Sequence, residues 1–164
     1  MKLISLILLM ITTFSIAEEN YLNIDAKHFE ANEKDQFMVF KGDVKMTKNK
    51  DILVCDNLLI LTEPSKESNK KQLPKSYEAT GKVNFEVHTK DNILKGKGDK
   101  VFYYPDEQKY IVVGNGYLED TKEGKKLSAQ TIYIDELTGH TRIDGDETKP
   151  VKFRMKLDNE SSKQ

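Results

Sequence analysis

Apolar residues recur at every second position around three glycines of the chain. These glycines lie in the segments FKGDVKM, ATGKVNF and VVGNGYL, with apolar side chains two residues before and two or four residues after. Alternation with a period of two is typical of a β-strand with one buried face. A glycine inside such a run marks a bend, a bulge or a close backbone approach. The pattern therefore predicts bent strands.

A second group of segments changes its alternation in mid-strand. In DILVCDNLLIL, Leu53 and Cys55 share one parity whereas Leu58 and Ile60 share the other, and KLSAQTIYI repeats the switch. Because a slip of one residue turns every later side chain to the opposite face, such a change requires an inserted residue or a corner. These strands are expected to turn corners at regular intervals.

The corners belong to an internal repeat. Small residues at Ala26, Gly98 and Ala129 each precede a glycine by 16 residues, and Cys55 precedes Gly81 by 26. The longer interval contains a polar, proline-bounded stretch, which predicts a lysine-rich inserted loop over residues 62–76.

Polar turn residues separate the apolar runs at six places, and no sustained helical period occurs after the first 17 residues. Such turns join antiparallel strands. The predicted fold is all-β, with roughly a dozen or more short antiparallel strands folded over into two facing sheets. The turn segments are 32–35, 48–51, 89–92, 105–107, 122–124 and 137–139.

The first residues are predicted to be a targeting segment. An uncharged apolar run from Leu3 to Phe14 precedes Ser15-Ile16-Ala17, which has the small-x-small spacing of a signal-peptidase site. Residues 1–17 are thus interpreted as a cleaved signal peptide, with an uncleaved anchor as the alternative. Residues 18–164 are predicted to form a single domain, with a flexible tail over 158–164.

Composition and charge exclude several classes of function. The chain has 26 basic and 27 acidic residues, a net charge of −1, which gives no electrostatic footprint for nucleic-acid binding. Its one cysteine, Cys55, lies within an apolar run and is interpreted as a small buried side chain rather than a nucleophile.

No constellation of catalytic or metal-binding residues stands out. The glycines of VVGNGYLED are not followed by a helical pattern, so a bent strand is favoured over a phosphate-binding loop. His28, His88 and His140 lack the spacing of a zinc site. Asp144 and Asp146 flank a glycine and favour a solvated turn. We expect no cofactor, no metal and no catalytic residue.

Three segments resemble the OstA-type family of LptA-like lipopolysaccharide transport proteins: FKGDVKMTKNKDILVCDNLLI, GNGYLEDTKEGKKLSAQTIYIDELTGHTRIDG and KPVKFRMKL. The insertion and YEATGKVNFEVHTKDN are similar to the campylobacterial-type version. The resemblance implies a V-shaped β-jellyroll, open at both ends, whose groove shelters the acyl chains of lipid A. It also implies a non-enzymatic periplasmic bridge of copies associated head to tail, between an inner-membrane LptC-like protein and an outer-membrane LptD-like translocon.

The alternating apolar residues supply candidates for the lining of such a groove. Leaving a lipid chain in water costs about 0.8 kcal/mol per CH₂, so an aqueous crossing requires a continuous apolar trough. Each candidate could equally be ordinary core between two sheets. The candidates are Ile24, Phe40, Val44, Met46, Val83, Phe85, Val87, Val112, Leu118, Ile132 and Ile134.

Two terminal segments alternate in the same way and predict edge strands. Edge strands expose backbone groups that a neighbouring chain can complete by β-augmentation. These segments could instead merely close the ends of a monomer. Their apolar residues are Leu22 and Ile24 near the start, and Val151, Phe153, Met155 and Leu157 near the end.

Four lysines of the insertion could meet lipid phosphates, although a solvated loop is the favoured explanation: Lys66, Lys70, Lys71 and Lys75. Other readings of the whole chain remain open at this point. It could be an LptC-like component that keeps its N-terminal segment as an anchor. It could also be a β-solenoid-type enzyme acting on glycans, which would need paired carboxylates in a cleft, or a scaffold that binds partners but no lipid.

Overall fold

The described part of the chain folds into ten antiparallel β-strands. The computed structural model describes residues 21–63 and 73–157, and within these ranges it contains no helix. The predicted all-β class is confirmed. The strands are β1 (Leu22–Asp25), β2 (His28–Asn32), β3 (Phe37–Lys48), β4 (Asp51–Glu63), β5 (Leu73–His88), β6 (Ile93–Tyr104), β7 (Lys109–Asp120), β8 (Lys125–Asp135), β9 (His140–Asp144) and β10 (Lys152–Arg154).

Over residues 21–63 and 73–157, the strands are fewer and longer than predicted. Each of β3 to β8 has between 11 and 16 residues, where the sequence predicted about two short strands. The prediction was wrong because a bulge bends a strand without ending its hydrogen-bonded pairing. All six predicted turn segments do lie at the reversals between consecutive strands.

All ten strands belong to one sheet, whose order follows the chain. β3 to β8 lie side by side in sequence order. At one end of the sheet, β1 and β2 both pair with β3. At the other end, β10 and β9 both pair with β8. Antiparallel hairpins with short turns suffice to build this topology.

A line of bulges crosses the sheet at the glycines of the sequence repeat. The pairing register between β3 and β4 shifts between Lys41 and Val44. A comparable shift occurs in the pairing of each later pair of neighbouring long strands, up to β7 and β8. Three glycines and the residues after them have positive φ, an arrangement that bulges commonly use. These pairs are Gly42–Asp43, Gly81–Lys82 and Gly114–Asn115.

The bulges divide the sheet into two layers. We call layer 1 the part that carries β1 and β10, together with the halves of β3 to β8 that continue them. Layer 2 carries β2 and β9 and the other halves of the long strands. Side chains of both layers line the same internal cavities, so the layers face each other, as the predicted two facing sheets require.

The buried core lies between the two layers. It includes Val44, Leu58, Val83, Val112 and Ile132, each at most 1% exposed. Alternation places these side chains on the inner face, whereas lysines and acids occupy much of the outer face. The core thus comes from both halves of the long strands.

Some of the predicted segments lie outside the described residues. The structure keeps Thr62 and Glu63 paired with Pro74 and Leu73, so the inserted loop predicted over 62–76 is shorter at both ends. Its remaining part, the proposed signal peptide and the tail over 158–164 are not among the described residues. Within the described ranges, no helix is long and apolar enough to cross a membrane.

Candidate functional site

An unbroken row of apolar side chains crosses layer 2 from edge to edge. Its members are aligned in register on successive strands, so each packs beside the next on the inner face. Leu58, Val112 and Ile132 in this row are fully buried. The row runs Phe29, Phe40, Leu58, Ala79, Val101, Val112, Ile132 and Ile143, from β2 to β9.

A matching row crosses layer 1 from β1 to β10. It contains one glycine, Gly96, which is paired with Phe85 on the neighbouring strand. A Cβ atom at Gly96 would overlap the Phe85 ring, so the ring lies over the glycine backbone. The row runs Ile24, Met46, Leu53, Phe85, Gly96, Leu118, Leu127 and Phe153.

The structure brings all the groove candidates together on the inner face. Val44, Val83, Val112 and Ile132 are buried in the core. Val87 lies outside the core cluster but lines the internal cavities. The remaining candidates pack against the core as partly buried side chains: Ile24, Phe40, Met46, Phe85, Leu118 and Ile134.

Two cavities occupy the space between the layers. The first, of about 160 Å³, lies towards β1 and is lined by Met46, Leu53 and Tyr77 among others. The second, of about 370 Å³, lies towards β10, with Leu118, Leu127 and Ile143 in its wall. An interior built in this way offers apolar space that the fold itself leaves unfilled, as binding sites for apolar ligands do.

A row of tyrosines in layer 2 was not predicted from the sequence. The rings of Tyr103 and Tyr110 stack with centroids 4.3 Å apart, and Tyr77 lies 5.8 Å from Tyr103. Burial is the main cause that raises the pKa of both Tyr77 and Tyr110. The sequence did contain a signal for this pair. Tyr103 and Tyr110 lie two residues before and two residues after the turn over 105–108, so a tight hairpin places them opposite each other.

Charged side chains lie where the strands end at the mouth of the cavities. Lys48 and Asp51 contribute to the first cavity, and Asp120, Lys125 and Glu136 contribute to the second. Desolvation raises the pKa of Glu136. The interior is therefore apolar with a charged rim, which suits a molecule that has both an apolar part and a polar head.

Sequence reasoning missed other apolar side chains of the interior because it treated strands singly. Leu53, Leu58, Val101 and Leu127 lie in the two cross-strand rows. Their inward direction follows only once the pairing register is known, and each bulge resets that register.

The predicted assembly edges lie at opposite ends of the sheet. β1 carries Leu22 and Ile24 and pairs with β3, whereas β10 pairs with β8. Among the described residues, neither terminal strand has a second neighbour. Strand β10 covers only Lys152–Arg154, so the predicted closing strand is shorter than its alternation indicated. Phe153 lines the second cavity, and Val151, Met155 and Leu157 are exposed beside the strand.

The residues weighed for other chemistry do not form a site. The segment VVGNGYLED lies in β7 and is a bent strand, as predicted. Cys55 is buried as predicted, and burial raises the pKa of its thiol to about 11. Across the described ranges, no group of three or more His, Cys, Asp or Glu residues is placed to hold a metal ion.

The aspartates considered for catalysis have structural partners. Asp144 forms an ion pair with Arg142 at 3.2 Å, and both side chains are exposed. Asp146 accepts hydrogen bonds from the backbone N–H groups of Thr148 and Lys149 in an exposed turn. Asp146 thus lies in a solvated turn as predicted, whereas Asp144 is the last residue of β9.

Comparison with known proteins agrees with this architecture. The family described as LptA/(LptD N-terminal domain) LPS transport protein matches residues 23–140. Among solved structures, the fold is similar to that of LptH, the LptA homologous periplasmic component of the lipopolysaccharide transport device from Pseudomonas aeruginosa. That likeness has a TM-score of 0.67 at 13% identity and covers 85% of this chain and 96% of LptH.

At that identity, the structural likeness shows the β-jellyroll fold alone. No curated protein matches the chain. The family match spans most of the chain, from β1 to the start of β9. The chain therefore belongs to the LptA/(LptD N-terminal domain) family of lipopolysaccharide transport proteins, and it is a transport component rather than an enzyme.

Proposed function

We propose that this protein carries lipopolysaccharide by enclosing its acyl chains between the two layers. The observation that supports this function is the pair of apolar rows that cross the sheet, from β1 to β10 in layer 1 and from β2 to β9 in layer 2. A ligand in the groove meets apolar side chains along the whole width of the sheet. The groove candidates, including Phe85 and Val112, are its proposed contacts.

Energetics favour an acyl chain as the occupant. Each CH₂ withdrawn from water contributes about 0.8 kcal/mol, so a chain of a dozen carbons gains roughly 10 kcal/mol before the cost of ordering it. The charged rim leaves the polar part of the lipid near solvent, where Lys48 and Lys125 can approach its phosphates.

The terminal strands extend this proposal to an assembly. Copies of the chain associate head to tail, β10 and its flanking residues of one copy meeting β1 of the next, so that their grooves join. Signal cleavage after residue 17 delivers residues 18–164 to the periplasm as one domain. There the chain connects an inner-membrane LptC-like protein to an outer-membrane LptD-like translocon.

A comparison of neighbouring positions on opposite faces of β5 tests the groove. Phe85 lies on the inner face, whereas Asn84 is exposed on the outer face of the same strand. A photo-crosslinking amino acid at position 85, but not at position 84, is expected to capture lipopolysaccharide in cells. Residues 18–164 purified without detergent are expected to retain lipid A species, detected by mass spectrometry.

Matched charge substitutions complete the test. Phe85→Asp is expected to abolish lipid retention, whereas Asn84→Asp adds the same charge outside the groove and leaves retention unchanged. Equal crosslinking at both positions, or a folded wild-type protein that takes up no lipopolysaccharide, would refute the carrier function and favour a scaffold. The mass of the N-terminus separates a secreted carrier, which begins at Glu18, from an LptC-like anchored protein.

A further inference from the structure

The two internal cavities meet at a small set of side chains. The cavity towards β1 and the cavity towards β10 share Phe85, Val87 and Tyr110 in their walls. Phe85 and Val87 belong to layer 1, whereas Tyr110 belongs to layer 2. These side chains therefore line the boundary between the cavities from opposite layers, and we call this boundary the constriction.

The position of Phe85 in this constriction depends on a glycine, Gly96, on the neighbouring strand. Its ring lies over Gly96, where a Cβ atom would overlap the ring atoms Cζ, Cε1 and Cε2. Gly96 has no positive φ that would require glycine, unlike Gly81 and Gly114. Its distinctive property is thus the space that it leaves for the ring.

Tyr110, on the other side of the constriction, packs against a second aromatic ring. Its ring stacks on Tyr103 with an angle of 18° between the planes, and Tyr103 in turn contacts Tyr77. Three rings in contact resist rotation of any one of them. A change in the width of the constriction therefore falls to Phe85.

We propose that Phe85 divides the groove into two acyl-chain chambers, and that lipid passes between the chambers by displacing its ring. This inference rests on the proposed carrier function. It assigns to Gly96 the role of keeping the passage open, because the ring can lie flat against β6 only there. Removing the ring widens the passage, and a side chain at position 96 narrows it.

Two substitutions with opposite effects test this inference on residues 18–164. The protein is loaded with fluorescently labelled lipopolysaccharide, and release is timed after addition of excess unlabelled lipopolysaccharide. Phe85→Leu is expected to speed release at least about threefold, and Gly96→Ala to slow it by a similar factor, since such changes act mainly on dissociation rates. The double variant is expected to behave as Phe85→Leu does, because without the ring the methyl group added at position 96 has nothing to displace.

Leu127→Ala provides the control for a simple loss of apolar surface. Leu127 lines the cavity towards β10 but not the boundary, and it lies two strands from Gly96. Its effect on release is expected to add to that of Gly96→Ala, whereas the effects of Phe85→Leu and Gly96→Ala are not additive. Thermal unfolding establishes that each variant is folded. If Gly96→Ala alone does not fold, rescue of folding in the double variant together with faster release by Phe85→Leu supports the inference.

The outcomes separate this inference from the function on which it rests. Absence of lipopolysaccharide binding by the wild-type protein would overturn both. Binding by all variants with additive effects of Phe85→Leu and Gly96→Ala, or with release changed in the same direction by both, would overturn the constriction and leave the carrier function standing.

Discussion

Asp99 of β6 lies against Gly114 of β7, so close that a Cβ atom on the glycine would overlap the aspartate side chain. The next residue, Asn115, donates a hydrogen bond of 2.9 Å to the same carboxylate. Asp56 has the same relation to Gly81 in the preceding pair of strands. An aspartate thus covers two of the three bulge glycines, whereas the side chain of Lys27 lies over the third, Gly42.

Gly114→Ala is expected to destabilise the protein by about 2–4 kcal/mol. The φ of +76° costs an L-residue roughly 1–2 kcal/mol, and displacing Asp99 adds a further cost of about the same size. Urea unfolding followed by circular dichroism measures the change.

Gly139→Ala is the matched control, since Gly139 also has positive φ, +67°, but nothing lies within 4 Å of a Cβ placed there. It should lose only about 1 kcal/mol. Equal losses in the two variants would show that contact with Asp99 contributes nothing.

Two leucines on β4 lie on opposite faces of the sheet. Leu58 is 0% exposed and Leu61 is 40% exposed. Leu58→Ala is expected to cost about 2–5 kcal/mol because it leaves a cavity, and Leu61→Ala less than about 1 kcal/mol. Chemical unfolding of both variants measures the difference, and similar values would contradict the inner and outer assignment.

The Cys55 thiol makes stability depend on pH in the alkaline range. Its pKa is raised from 9.0 to about 11, first by burial and then by the charge of Asp56. The unfolded chain therefore releases this proton at lower pH than the folded one, and the contribution of Cys55 to stability is present below pH 9 and lost as pH rises towards 11.

Cys55→Ala should remove this part of the pH dependence, which amounts to about 2 kcal/mol. The check is the free energy of unfolding at several pH values between 8 and 11, measured for both proteins. Tyr77 and Tyr110 are present in both proteins, so their contribution cancels in the comparison. Parallel curves of unfolding free energy against pH would mean that folding does not raise the pKa of Cys55.

Trimming residues 150–164 tests the proposed assembly edge. In the proposed assembly β10 and its exposed neighbours supply the edge, so the shortened protein is expected to show little concentration-dependent self-association in sedimentation. Leu137→Ser, at an exposed apolar side chain in the turn before β9, is the control and should leave association intact. Unchanged association of the trimmed protein would remove the docking role from these residues.

The sequence was sufficient for local features of the fold. Alternation around Gly42, Gly81 and Gly114 predicted bent strands because side-chain direction has a period of two, and the parity switch after Cys55 located a bulge. Polar clusters located the six turns, since reversals need such residues. The inner-face candidates followed from the same alternation.

Other features depend on relations between distant strands. That a bulge bends rather than ends a strand is decided by pairing on both sides, so strand number was overestimated. The passage between the cavities depends on Phe85 lying beside Gly96, 11 residues away in the chain and adjacent only in the register of β5 and β6. Alternation alone gives no register across a loop.

Because the sheet order repeats the chain order from β3 to β8, each hairpin adds its width to the sheet without altering the path of the rest. Adjacent strands are about 4.8 Å apart, so one more hairpin would lengthen the groove by about 10 Å. The number of hairpins in the chain thus sets the length of the groove in a single copy. A longer or shorter groove requires only duplication or deletion of a two-strand unit that carries its own bulge glycine.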